Sequence, residues 1–143
     1  MSIQRAVVAG LSGTAVMTLL MLMAPLMGMP EMSIGAMLGS FLGVGTAIGW
    51  AMHFMIGTVL AVIFGAVFAA RLPGPAAARG ALYGVLVFFV AQLVVVPLMG
   101  AGVFSGGSIP MIMGSLMGHL VYGGVLGGVY GSVPARAKAP ATA

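Results

Sequence analysis

Cysteine is missing from this chain, and acid nearly so: Glu31 is the one carboxylate among 143 residues. Without cysteine there are no disulfides, no thiolate metal sites and no cysteine nucleophile. With one carboxylate there are no paired acids for general acid–base work and no Ser/His/acid set. No glycine-rich phosphate loop follows a strand. The sequence therefore offers no catalytic constellation, and the expectation is a protein that is not an enzyme.

Charge of either sign is scarce. Charged residues make up 4% of the chain and hydrophobic ones 62%, whereas a soluble domain carries about 25% charged residues. Too little polar surface is left to face water, and apolar runs of 18 or more residues read as membrane spans. The net charge is +4, but the five basic residues are scattered near predicted helix ends and form no nucleic-acid patch. The expected partners are the lipid bilayer and either other membrane subunits or further copies of the chain.

What is present reads as one membrane hairpin written twice. Pro25-Leu26-Met27-Gly28 and Pro97-Leu98-Met99-Gly100 each end a long apolar segment. Each is followed by a segment with a histidine and, four residues on, a glycine: His53 with Gly57, His119 with Gly123. Aligning the histidines places Gly57, Ala61 and Gly65 on Gly123, Gly127 and Gly131. The predicted spans cover about 3–26, 45–70, 80–97 and 110–131, in a single transmembrane domain over 1–131 with halves of about 3–70 and 78–131. The first segment exceeds the roughly 7–15-residue apolar core of a signal peptide and is expected to be retained. Pro30-Glu31-Met32-Ser33 reads as the start of a short helix in the first connection. Trp50 reads as an interface anchor. Gly102 to Ser108 reads as a flexible connection, and 132–143 as a flexible tail. The expected fold is an all-α polytopic membrane four-helix bundle. It is built from two parallel two-helix repeats, with a short extra helix in the first outer loop.

Arg5, Arg71, Arg79, Arg136 and Lys138 all fall at the N-terminus, the second loop and the C-terminus. The positive-inside rule then places both termini in the cytoplasm of a multi-pass inner-membrane protein. Helices in lipid associate through close backbone approach rather than the hydrophobic effect. Gly57 and Gly65 in the second span, and Gly123, Gly127 and Gly131 in the fourth, are the expected packing faces.

Each span contributes one notable polar residue: Thr18, His53, Gln92 and His119. At about 1.5 Å per residue, each lies roughly 20–27 Å from its nearest arginine end. All four then fall in the half of the membrane away from the arginines. Intramembrane polar residues usually face a bundle interior, so this cluster is the candidate site. In one reading the histidines satisfy each other, Gln92 or free backbone, and no cofactor is held. In a second, His53 and His119 are axial ligands of haem b. In a third, His53, His119, Met27 and Met99 hold copper, since thioether and imidazole suit Cu(I). Against that, methionine, of which there are 14, is more often an apolar filler.

Gly10 to Thr18, the two Pro-Leu-Met-Gly copies, Trp50-Ala51-Met52-His53-Phe54 and Gly118 to Gly123 carry a resemblance. They are similar to a group of small, uncharacterised, Gly- and Met-rich four-helix membrane proteins of bacteria and archaea. The resemblance implies a four-span fold and makes the histidines notable; it brings no activity with it. Small size and minimal loops lead to the functional expectation. It is a non-catalytic accessory subunit of a larger membrane assembly, of the respiratory or electron-transfer kind. The alternatives are a cofactor-binding membrane protein and a small dimeric transporter or channel.

Overall fold

The computed structural model describes residues 2–132. Among them there is no strand, and four helices are long and apolar enough to cross a membrane. The chain is an all-α, multi-pass membrane protein. Helix α1, Ile3–Met23, runs into a 3-10 turn at Ala24–Met27. Helix α2 is Ile34–Leu42. Helix α3, Thr46–Ile63, continues through a π-helical turn at Phe64–Phe68. Helix α4, Ala76–Val90, passes through a second π turn, Ala91–Val95, into the single turn α5, Val96–Leu98. A 3-10 turn, Val103–Gly107, leads to α6, Ile109–Ser132.

Local chemistry accounts for the boundaries. The Ser33 hydroxyl accepts from the Ala36 N–H at 3.4 Å, so α2 starts just after the acidic turn that announced it. Gly43, at φ 68°, ends it. The third span begins at Ala76 rather than near Gly80. Pro75 presets φ at −67°, and the alanines after it are the strongest helix formers. The connection read as flexible, Gly102 to Ser108, is a folded turn. Phe104 and Ser105 sit at φ 48° and 52°, a left-handed region that costs non-glycine residues about 1–3 kcal/mol unless the surroundings hold them. Here they do: the Phe104 ring lies 6.3 and 6.4 Å from those of Phe88 and Phe89. The Ser105 hydroxyl donates to Gln92 Oε1 at 3.0 Å. Of the tail expected from 132, Ser132 closes α6 and the remainder lies outside the described residues.

Glycine sets the helix contacts. Helices α4 and α6 touch backbone to backbone: a Cβ on Gly80 would lie 2.7 Å from Gly127 Cα, and one on Gly123 3.0 Å from Gly84 Cα. A Cβ on Gly127 would strike the Ala76 carbonyl, and one on Gly131 the Ala76 side chain. On the other side, a Cβ on Gly10 of α1 would lie 2.7 Å from Ala61 Cβ and 3.1 Å from the Gly57 carbonyl. Gly57 itself faces Thr14, and Gly65 faces the Tyr130 ring. Helix α2 lies on α3, with Gly35 pressed onto the Trp50 indole. Trp50, read as an interface anchor, is therefore the platform on which α2 sits.

All three tyrosines reach α3 through its carbonyls. Tyr122 donates to the Gly57 oxygen at 2.6 Å, Tyr83 to that of Leu60 at 2.9 Å, and Tyr130 to that of Gly65 at 3.5 Å. Small side chains on α3 leave those oxygens within reach. At the opposite ends of the spans from the histidines, arginines meet helix C-termini, whose last carbonyls lack intrahelical partners. Arg5 donates to the Tyr130 carbonyl and lies 5.0 Å over that ring's centroid. Arg71 donates to the Val67 carbonyl, and Arg79 to those of Ala69 and Gly74 at 2.9 and 2.6 Å. A cation at a helix C-terminus also complements the macrodipole.

Candidate functional site

Thr14 and Thr18 stand one turn apart on α1. Each donates its single hydroxyl proton to the carbonyl four residues back, Gly10 at 2.8 Å and Thr14 at 2.7 Å. The Thr18 oxygen also lies 3.2 Å from His53 Nε2. Since its proton is spent on the Thr14 carbonyl, the threonine accepts here and His53 Nε2–H donates. His53 Nδ1 is then the lone-pair nitrogen. Trp50 and Phe54 flank the imidazole edge-on, both at 5.8 Å between centroids.

His119 satisfies itself differently. Its Nδ1 lies 2.7 Å from the Ser115 carbonyl one turn back on α6, so Nδ1–H donates and Nε2 keeps the lone pair. The Ser115 hydroxyl is 3.5 Å from the same nitrogen, and Phe88 lies edge-on at 6.0 Å.

The two imidazoles line one cavity of about 130 Å³, together with Thr14, Tyr122 and Met17. Ile34, Met37 and Leu38 of α2 wall it on one side. The histidines are bonded neither to each other nor to Gln92. Gln92 is buried, spends its side-chain oxygen on Ser105, and does not line the cavity. Of the predicted polar cluster, the structure thus brings together Thr18, His53 and His119 and leaves Gln92 apart. Thr14 and Tyr122 were not singled out in the sequence. Their signal was spacing: Thr14 is four residues before Thr18 and Tyr122 three after His119, so each shares a helix face with a chosen residue.

The predicted copper set is not assembled. Met99 edges the histidine cavity, but Met27 is 76% exposed and lines a different cavity. Gly28 and Gly100 both adopt positive φ, 79° and 85°, but the segments that follow pack differently: Met27 shares its cavity with Met29 and Met32 of the first connection, and Met99 lies against α2. Haem does not fit the geometry either. Pockets for drug-sized ligands run to about 300–1,000 Å³, well above the 130 Å³ between these histidines. The described arginines lie at the far ends of the spans, out of reach of propionates.

A comparison with known families matches residues 1–141 to a family of unknown function, DUF6789. The chain belongs to the DUF6789 family. No curated protein and no solved structure matches it. Membership carries no activity with it, so chemistry has to come from the cavity. Its hydroxyl protons all go to backbone carbonyls: Thr14 to Gly10, Tyr122 to Gly57. The imidazole protons go to Thr18 and Ser115. What those four side chains offer the interior is acceptor lone pairs in an otherwise apolar wall.

Proposed function

We propose that this protein binds a small, largely apolar molecule bearing a hydrogen-bond donor, between His53 and His119 within the bundle. The observation behind this is the proton count: both imidazoles donate to the protein and keep one lone pair each. The size is right for one ring. An engineered apolar cavity of about 150 Å³ takes up benzene. Phenol and toluene, titrated into the detergent-solubilised protein, are the direct probes. Phenol should bind at least about tenfold more tightly, because only it donates a hydrogen bond. His53→Phe and His119→Phe should each erase that preference. Equal binding of the two probes, or a preference that survives both substitutions, would refute the reading. A carrier uses such a cavity too. In that case flux into proteoliposomes should fall with the same two variants.

A second reading is the accessory subunit. A Cβ added at Gly124 or Gly128 of α6 would meet nothing within 4 Å. Close-approach glycines open to lipid suit a helix of another chain. The assembly to look for first is a respiratory or electron-transfer complex. Native mass spectrometry of gently extracted protein from its own host should show a heavier heteromer, dispersed by Gly124→Leu with Gly128→Leu. A free chain in the unaltered protein would remove this reading.

The arginine end is assigned to the cytoplasm by the positive-inside rule. The parallel repeat is supported by contacts matched on its second helices: Gly57 and Ala61 face α1 at Gly10, and their counterparts Gly123 and Gly127 face α4 at Gly80.

A further inference from the structure

The cavity that takes Met27 is made of thioethers. It measures about 230 Å³ and is lined by Met21, Met27, Met29, Met32, Met113 and Met117. These six come from separate places in the chain: the last turns of α1, the 3-10 turn after it, the connection to α2, and two successive turns of α6. The remaining lining side chains, Leu20, Ala24 and Pro30, and the bare Gly114, carry no donor atom.

Several local features set these six side chains around one cavity, with Met21 buried and Met27, Met113 and Met117 more than half exposed at its rim. Pro25 to Gly28 makes a tight turn, with the Met29 N–H bonded to the Ala24 carbonyl at 3.1 Å. Gly28 at φ 79° reverses the chain, so Met27 and Met29 flank the same cavity as Met21. Gly114 then leaves room on α6. A Cβ there would lie 3.3 Å from Met29 Cε and 3.5 Å from Met32 Sδ. The Met32 sulfur therefore rests against α6 at Gly114, in the same lining as Met113 and Met117.

A packing role alone asks for adaptable apolar volume, which one or two methionines supply. Six thioethers and no other heteroatom side chain ask for something softer. Neutral sulfur donors select Cu(I) over magnesium, calcium or zinc, which need oxygen, nitrogen or thiolate. Glu31, exposed between Pro30 and Met32, is the chain's single acid and places a negative charge beside the cluster. We infer that this methionine cavity is a binding site for Cu(I), and for its mimic Ag(I), distinct from the histidine cavity.

The test is anaerobic titration of Cu(I) into the full-length, detergent-solubilised protein against a chromophoric Cu(I) chelator. One copper per chain is expected, with sulfur-only coordination by X-ray absorption. Met32→Leu with Met117→Leu conserves volume and should weaken binding at least tenfold. Met55→Leu, remote from the cavity, should leave it unchanged, and so should His53→Phe with His119→Phe. Circular dichroism and elution volume check that each variant is folded. No copper above the detergent blank would overturn the inference. So would nitrogen ligands in the absorption spectrum, or loss of copper in the histidine variants with retention in the methionine ones. Should the double methionine variant fail to fold, Met113→Leu alone, expected to weaken binding severalfold, takes its place; unchanged affinity there overturns the inference too.

Discussion

At the residue scale, most of the described polar side chains are committed to groups within the chain, chiefly its backbone carbonyls. Threonine hydroxyls close on carbonyls one turn back, His119 does the same, and Gln92 holds Ser105. The last bond has a cost attached, because Ser105 is held at φ 52°. Gln92→Leu should leave that left-handed residue unsupported and destabilise the protein by about 1–3 kcal/mol. Adding Ser105→Gly should restore much of the loss, since glycine accepts positive φ without strain. Reversible unfolding in mixed micelles reads both. If the glycine restores nothing, the strain is not what Gln92 restrains.

Between elements, contact is decided by missing side chains. Gly80 faces the backbone of Gly127 with no space for a methyl group. Gly80→Ala should force α4 and α6 apart and cost about 1–3 kcal/mol, the usual range for overpacking. Gly124→Ala, one turn along α6 from a closely packed glycine, meets nothing within 4 Å. It should be neutral or stabilise slightly, because alanine is the better helix former by about 1 kcal/mol. The same micelle unfolding compares the pair, and equal losses would mean that the α4–α6 contact is not as close as described. The π turns are also element-level features. Each adds a residue to a span without ending it, so α3 reaches Phe68 and α4 continues through Val95 to Leu98.

For the whole molecule, the arginines draw one boundary. Arg5, Arg71 and Arg79 all bond carbonyls at helix C-termini, so the same charges also finish α3 and α6. Arg5 Nε is nevertheless buried with no hydrogen-bond partner among the described residues. Arg5→Gln should cost about 0.3–2 kcal/mol through the lost charge at α6's end. Arg5→Lys keeps that charge, discards the orphaned nitrogen and should recover most of the loss. A lysine variant as unstable as the glutamine one would show that ring stacking, not charge, matters. Much of this architecture was legible in the sequence. Spans, the short α2 and the packing glycines announce themselves through hydropathy and small-residue spacing. The site was legible only in part. Depth along a helix can be counted, so Thr18, His53 and His119 were chosen together. Which interior partner a side chain takes cannot be counted, so it was not legible that Gln92 bonds Ser105 rather than lining the histidine cavity. Met27 and Met99 sit in matching tetrapeptides, each ended by a positive-φ glycine, and are parted by how the connections after them pack, which spacing does not print.

The tyrosine bonds have one more consequence. Their acceptors are main-chain oxygens of α3, which every residue type supplies, while their donors are three particular side chains. In an exhaustive substitution library, Tyr83 and Tyr122 should therefore be intolerant of change. The lipid-facing side chains of α3, such as Ile48, Met55 and Val59, should drift freely among apolar types. The partner that receives the bonds would look unconstrained, although it is the helix to which the others are tied.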